Sequence, residues 1–203
     1  MSNKNENNVA DQPLVEMVLS GDTNAFKTIM KNTEGLVAQI VFKMIPIAED
    51  RKDTAQDIYL KTFKKLNTFK FRSKLSTWIA QIAYNTCLSY LEKKKLIFPG
   101  NNINDDESVD NAFEILNNRN ASLKNETENI IFQKELSQIL KTEIDKLSPV
   151  YKTLITLYHN EELPYSEIAE ITNLPEGTVK SYLFRARKTL RNNLLLTYKK
   201  EAL

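Results

Sequence analysis

Leu174-Pro175-Glu176-Gly177-Thr178-Val179-Lys180-Ser181-Tyr182-Leu183-Phe184-Arg185-Ala186-Arg187-Lys188-Thr189-Leu190-Arg191 is the stretch from which the rest of the chain is read. Pro175 and Gly177 form a turn with a helix start behind it. On that helix Val179, Leu183, Ala186 and Leu190 recur at spacings of four and three, which makes one apolar stripe. Thr178, Ser181, Tyr182 and Arg185 recur in the same rhythm on the other side. No Asp or Glu stands between Glu176 and Glu201. The helix is therefore apolar inside, and basic and hydroxyl-bearing outside.

The preceding segment completes a unit. Tyr165-Ser166-Glu167-Ile168-Ala169-Glu170-Ile171 reads as a short amphipathic helix, with Ile168, Ala169 and Ile171 available for packing. Thr172-Asn173-Leu174 makes a tight connection. Two short helices joined in this way, the second basic on its exposed face, read as a helix-turn-helix. Such a second helix enters a major groove with its N-terminal residues against base edges. Lys and Arg pair with guanine acceptors, while hydroxyls and backbone N–H groups reach phosphates. The plainer alternative is a solvated basic helix on a helical bundle.

Composition points to an all-α protein: 203 residues, 41% hydrophobic, only four Gly, and few alternating runs. The net charge of +2 says little, but its distribution says more. Residues 1–95 carry 15 basic and 10 acidic side chains, residues 96–131 carry 2 and 7, and residues 132–203 carry 11 and 9. Two basic blocks flank an acidic one. The single Cys87 excludes an intramolecular disulfide and reads as a small core residue. The single His159 has no ligand cluster at zinc spacing around it, so neither a metal nor a cofactor is expected. The polar, Asn-rich start has no signal-peptide core, and no run of about 18 apolar residues occurs, so the expectation is a cytoplasmic protein without membrane insertion.

In chain order, residues 1–12 read as a disordered N-terminus. A helical bundle follows over 13–96. Leu14, Val15, Val18 and Leu19 form a short helix closed at Ser20-Gly21. Asp22 or Thr23 caps a second helix that Pro46 stops. A third runs from about Ala48 to Leu66, with Ala55, Ile58, Tyr59, Thr62 and Phe63 inside, and Asp53, Gln56, Asp57 and Lys61 outside. A fourth starts near Ser73 to Ser76 and runs to Lys95. Residues 97–128 form a flexible acidic linker holding Asp105, Asp106, Glu107 and Asp110. Residues 129–203 form the helix-turn-helix domain: helical periodicity resumes at Ile130, Ile131, Leu136, Ile139, Leu140 and Ile144, and Leu147-Ser148-Pro149 begins another helix.

The loop before the fourth helix is the second informative place. Phe69, Lys70, Phe71 and Arg72 interleave two aromatics with two cations, a composition that suits unpaired bases: aromatics stack and cations neutralise phosphates. The alternative places both Phe rings in the core, and for Phe71 that is the preferred reading. Trp78 also reads first as core, because large aromatics are usually mostly buried. Asn85, two helical turns beyond Trp78, falls on a similar face at the rim. Lys93, Lys94 and Lys95 either face nucleic acid or simply complement the helix dipole.

With these parts in this order, the chain resembles the extracytoplasmic-function group of bacterial sigma-70-type sigma factors from about Leu14 to Leu195. Asp53-Thr54-Ala55-Gln56-Asp57-Ile58-Tyr59-Leu60-Lys61 is similar to the family's Asp-Leu-Val-Gln-Glu stretch. Thr77-Trp78-Ile79-Ala80-Gln81-Ile82-Ala83-Tyr84-Asn85 is similar to its Thr-Trp-Leu-x-x-Ile-Ala-x-Asn stretch. Gly177-Thr178-Val179-Lys180-Ser181, followed by Arg185-Ala186-Arg187, is similar to its Gly-Thr-Val-x-Ser-Arg-x-x-Arg-Ala-Arg signature.

The resemblance implies a set of roles. Asp53, Gln56 and Asp57 would dock on core RNA polymerase. Phe69, Lys70, Arg72, Trp78 and Asn85 would act on the melted −10 element of promoter DNA, with Phe69 and Asn85 capturing a flipped base. Thr178, Lys180, Ser181, Tyr182, Phe184 and Arg185 would read the −35 element as duplex. It also implies control by a separate anti-sigma factor. The chain departs from the family pattern where Thr54 and Ala55 replace a larger Leu-Val pair, Asp57 replaces Glu, Tyr182 replaces Arg and Pro164 replaces a capping Ser.

The expected function is thus promoter-specific transcription initiation, with no catalytic residue and no enzyme activity. A one-component helix-turn-helix regulator is the rival, and it leaves the aromatic-basic loop and the Asp53–Asp57 face unexplained. An enzyme would need a phosphate-binding Gly loop or partners for His159, and neither is present.

Overall fold

The structure, a computed structural model, describes residues 4–94 and 137–201. The helices are α1 (Lys4–Leu19), α2 (Thr23–Met44), α3 (Ala48–Lys65), α4 (Leu75–Lys93), α5 (137–145), α6 (Pro149–His159), α7 (Tyr165–Thr172) and α8 (Glu176–Glu201), with a 3-10 turn at Leu66–Thr68. The described residues contain no strand, and no helix among them is long and apolar enough to cross a membrane. The acidic linker expected at 97–128 and the domain start at 129 lie outside the described residues.

Local chemistry explains where most helices begin and end. Gly21, at φ 104°, gives the left-handed turn that closes α1. The Asp22 carboxylate then accepts from the backbone N–H groups of Asn24 at 2.8 Å and Ala25 at 3.4 Å, capping α2. Ser148 caps α6, with Pro149 in the first turn. Asn173, at φ 55°, ends α7 in the left-handed region that Asn tolerates. α4 has no capping side chain of its own, and the Asp11 carboxylate of α1 supplies one by accepting from the Leu75 N–H at 2.9 Å.

That contact falls within residues 1–12, the stretch read from composition as a tail. The chain is helical from Lys4, with Pro13 inside α1. The helix is held because Val15 and Val18 are buried and Asp11 is tied to α4.

Helices α1 to α4 form one unit around Ile29, Ile40, Met44, Ile58, Ile79 and Leu91, all at most 1% exposed. Cys87 lies in this core, and burial pushes its thiol up to about 12, which makes it inert. Helices α6 to α8 form a second unit around Leu154, Leu157, Ile168, Ile171, Val179 and Leu183, all fully buried. The two units also pack on each other, α4 against α7 and α2 against α6, so that their cores are continuous.

Candidate nucleic-acid interface

On the first unit, α3 and α4 leave a groove of about 410 Å³ between them. Lys61 and Lys65 of α3 line one side and Thr68 of the 3-10 turn adds a hydroxyl. Trp78, Gln81, Ile82, Asn85, Thr86 and Ser89 of α4 line the other, every one within four residues of the next, so one face of the helix supplies them all. The Lys61 ammonium pairs with Asp57 Oδ2 at 2.7 Å and donates to Thr86 Oγ1 at 3.3 Å. Asn85 is exposed and Trp78 half-buried. An aromatic wall, a free-standing amide and two ammonium groups form a surface fit for an unpaired base and its phosphates.

Phe69 does not join this surface. It is 7% exposed, with its ring 4.7 Å from that of Phe71 and 5.2 Å from that of Trp78. The ring packs between those of Phe71 and Trp78 and presents little of its surface to solvent. The neighbouring cations Lys70 and Arg72 are exposed. Phe71 sits at φ 54°, a left-handed backbone that holds this loop in a tight bend. Trp78, which the sequence reading placed first in the core, is the aromatic that lines the groove.

On the second unit, the apolar stripe of α8 is buried as expected: Val179, Leu183 and Ala186 at 0% and Leu190 at 8% exposure. Lys180, Ser181 and Phe184 are exposed, and Thr178 and Arg185 half-exposed. Lys180 pairs with Glu176 at 2.9 Å and lies over the Tyr165 ring at 5.5 Å. An exposed pair of this kind is worth little and yields readily to a phosphate. Tyr165 stacks on Tyr158 at 4.9 Å, and the Arg187 guanidinium lies over the Tyr158 ring at 4.9 Å. These contacts join α8 to α6 and α7 beside the buried stripe.

Tyr182 is the exception in the outer row. It is half-buried and makes an edge contact, ring to ring at 5.8 Å, with Tyr151 of α6. It faces the protein interior rather than the solvent face that Ser181 and Phe184 occupy.

Asp53, Gln56 and Asp57 are all exposed on α3. Leu60, one turn on, is 51% exposed and continues the same face. Phe63, expected inside, is 47% exposed and meets Phe26 edge-on at the rim, at 5.0 Å. The α3 surface is thus acidic and apolar together, which suits a protein partner better than a phosphate backbone.

The sequence reading missed Lys61, Lys65, Gln81 and Ser89 as groove residues. Their signal was present in part: Gln81, Asn85 and Ser89 recur every four residues on α4. The lysines of α3 come to face them only through packing. Among the described residues no cluster of three or more His, Cys, Asp or Glu could hold a metal ion.

Residues 29–97 match the family "Sigma-70 region 2" and residues 137–190 match "Sigma-70, region 4". The ECF RNA polymerase sigma-E factor of Escherichia coli (strain K12) is 33% identical over 189 residues, spanning 92% of this chain and 95% of that protein. The protein of the same name from Haemophilus influenzae is 32% identical over 188 residues, spanning 92% and 96%. Among solved structures, CnrH in complex with the cytosolic domain of CnrY superposes with a TM-score of 0.59 at 19% identity, covering 91% of this chain and 97% of that one. The sigma factor RpoE in complex with the anti-sigma factor NepR from Bartonella quintana gives 0.56 at 21% identity, covering 83% and 96%. At these identities the structural likeness speaks for the shared helical fold.

Proposed function

The chain belongs to the extracytoplasmic-function group of the bacterial sigma-70 family of RNA polymerase sigma factors, and from that membership we propose how its residues divide the work. Its function is that of the family, directing RNA polymerase to promoters, and it performs this as a binding protein rather than an enzyme.

In this reading the second unit takes the −35 element as duplex. Lys180 and Ser181 hold phosphate, while Phe184 and Arg185 approach base edges in the major groove. The first unit takes the melted −10 element. Trp78 stacks on a base, the Asn85 amide pairs with its edge, and Lys61, Lys65, Lys70 and Arg72 neutralise the strand. Flipping a base costs a few kcal/mol of stacking, which the groove must return. Asp53, Gln56 and Asp57, with Leu60 beside them, dock on core polymerase. The solved CnrH and RpoE neighbours are each bound to a second protein, an anti-sigma factor in the case of RpoE. A separate anti-sigma partner is accordingly part of the proposed function.

One observation carries this assignment: a single chain presents a strand-sized groove walled by Trp78 and Asn85 and, on another unit, the exposed row Lys180, Ser181 and Phe184. A one-component regulator would use only the second feature. The test is reconstitution with core RNA polymerase. The purified chain should co-elute with core and support run-off transcription from a cognate promoter. Binding to duplex DNA without any association with core would overturn the reading.

A further inference from the structure

Three cations from three helices gather where α2 and α5 end and α3 and α6 begin. Lys43 stands in the last turn of α2. Arg51 is the fourth residue of α3, and Lys152 is the fourth of α6. The Lys43 ammonium pairs with Asp145 Oδ1 at 3.3 Å, and the Lys152 ammonium donates to the Asp145 carbonyl at 3.2 Å. Arg51 turns back over the same corner. Its Nε donates to the Ile45 carbonyl at 2.9 Å, and its Nη2 donates to the Pro46 carbonyl at 3.3 Å. The guanidinium also lies 4.9 Å from the centre of the Phe42 ring, and Phe42 is 58% exposed.

The corner carries more positive charge than its own contacts answer. One carboxylate, Asp145, stands against the three cations. The bonds of Arg51 and Lys152 go to carbonyl oxygens, which orient a cation without neutralising it. Both residues also sit near the positive N-terminal end of a helix, where a cation is disfavoured. Lys152 is half-buried, and burial is the largest influence holding its ammonium below the usual value; Asp145 opposes it, and Lys43 and Arg51 add to the lowering. Like charges are thus held together at a cost that an incoming anion would remove. Two of the five N–H donors of Arg51 are engaged at the carbonyls, which leaves Nη1 for a ligand.

We propose that Phe42, Lys43, Arg51 and Lys152 form a binding site for a free nucleoside diphosphate. The base stacks on the exposed Phe42 ring, and the diphosphate meets Arg51, Lys43 and Lys152. An exposed aromatic beside cations suits both halves of such a ligand. Every base offers a π-face to a ring, and guanidinium and ammonium groups hold phosphate oxygens. Arg51 joins the two halves, because it touches Phe42 and acts on Lys152. The diphosphate supplies the negative charge that Asp145 alone does not. None of the four residues lines the groove between α3 and α4, and none stands in the exposed row of α8. The site is therefore separate from both surfaces assigned to DNA.

Isothermal titration of the free full-length chain with ADP at physiological salt reads this site. ADP should bind once per chain, and pyrophosphate and adenosine should each bind about tenfold more weakly, because each keeps only the phosphate or the stacking contacts. Phe42→Ala should weaken ADP about tenfold and leave pyrophosphate unchanged, since it removes the stacking surface alone. Lys152→Gln should weaken ADP and pyrophosphate alike, by about tenfold. Lys152 is chosen over Arg51 because Arg51 also holds the carbonyls at the end of α2. Circular dichroism and a thermal melt check that both variants are folded. Saturating the chain with a short single-stranded oligonucleotide should leave ADP binding as it was. No binding of ADP at millimolar concentration, or wild-type ADP affinity in both folded variants, would overturn the site. Displacement of ADP by the oligonucleotide would overturn it too, because the ligand would then be a nucleic-acid strand rather than a free nucleotide.

Discussion

Phe69 and Asn85 separate packing from recognition at the scale of single residues. Phe69 lies under Trp78 at 7% exposure, so its loss opens a cavity. Phe69→Ala should lower the stability of the chain by about 3 kcal/mol, visible as a reduced melting temperature. Asn85 is exposed, and Asn85→Ala should leave the melt unchanged while slowing promoter opening in a fluorescent-base assay. A Phe69→Ala protein that melts like wild type but fails to open promoters would reverse these roles. On α8, Arg185→Ala should cost about 1–3 kcal/mol at one promoter position if it makes a bidentate base contact. Lys180→Ala should weaken binding evenly across sequences and reduce the salt slope by about one, because a phosphate contact releases about one counterion. Equal loss on cognate and scrambled duplex for both variants would show that neither reads sequence.

At the scale of elements, α4 is the helix on which the first unit depends, and carboxylates from other helices hold both its ends. Asp11 caps its start from α1. Asp50, in the first turn of α3, accepts from the Tyr90 hydroxyl and pairs with Lys94 at 3.4 Å near its end. Asp11→Ala should destabilise the unit by about 0.5–2 kcal/mol in urea melts, with faster amide exchange in the first turn of α4. The Tyr90 hydrogen bond is the largest influence and holds the Asp50 carboxyl below its usual value; burial opposes it, and Lys94 adds to the lowering. A carboxyl lowered in the folded state adds stability that is complete above its unfolded value near 4 and is lost as pH falls through the lowered one. Tyr90→Phe should therefore leave stability at neutral pH less sensitive to mild acid, flattening the fall in urea midpoint below about pH 4. An unchanged acid profile would show that the contact does not couple to folding.

At the scale of the whole molecule, the chain presents surfaces of different character in different places. The α3 face of Asp53, Gln56, Asp57 and Leu60 is acidic and apolar, whereas the groove and the α8 row are basic and hydroxyl-bearing. Charge alone disfavours a phosphate backbone at the first and favours it at the others. Reversing Asp53 and Asp57 together to Lys should weaken binding to core polymerase, measured by competition against the wild-type chain, while helical content stays unchanged. Reversal at Asp57 also frees Lys61 from its 2.7 Å pair, so strand binding by the isolated chain should hold or rise. Normal competition for core by the folded double variant would leave α3 as a merely solvated face.

What the sequence determined by itself was the part that depends on near neighbours along the chain. The apolar stripe of α8, the Asp22 and Ser148 caps, and the stop of α2 before Pro46 all follow from residues within a few positions of one another. The motif order likewise sufficed to place the chain in its family. Only the tertiary structure decided the contacts made at long range. Residues 1–12 have the composition of a disordered tail, yet Asp11 is ordered by a partner 64 positions away. Phe69 and Trp78 are equally apolar in sequence, and packing put the first beneath the second. Tyr182 sits in the outer row by periodicity, but Tyr151 of α6 meets its ring edge-on and leaves it half-buried. A helix pattern records which sides are apolar; which polar side becomes an interface depends on what the rest of the chain brings against it.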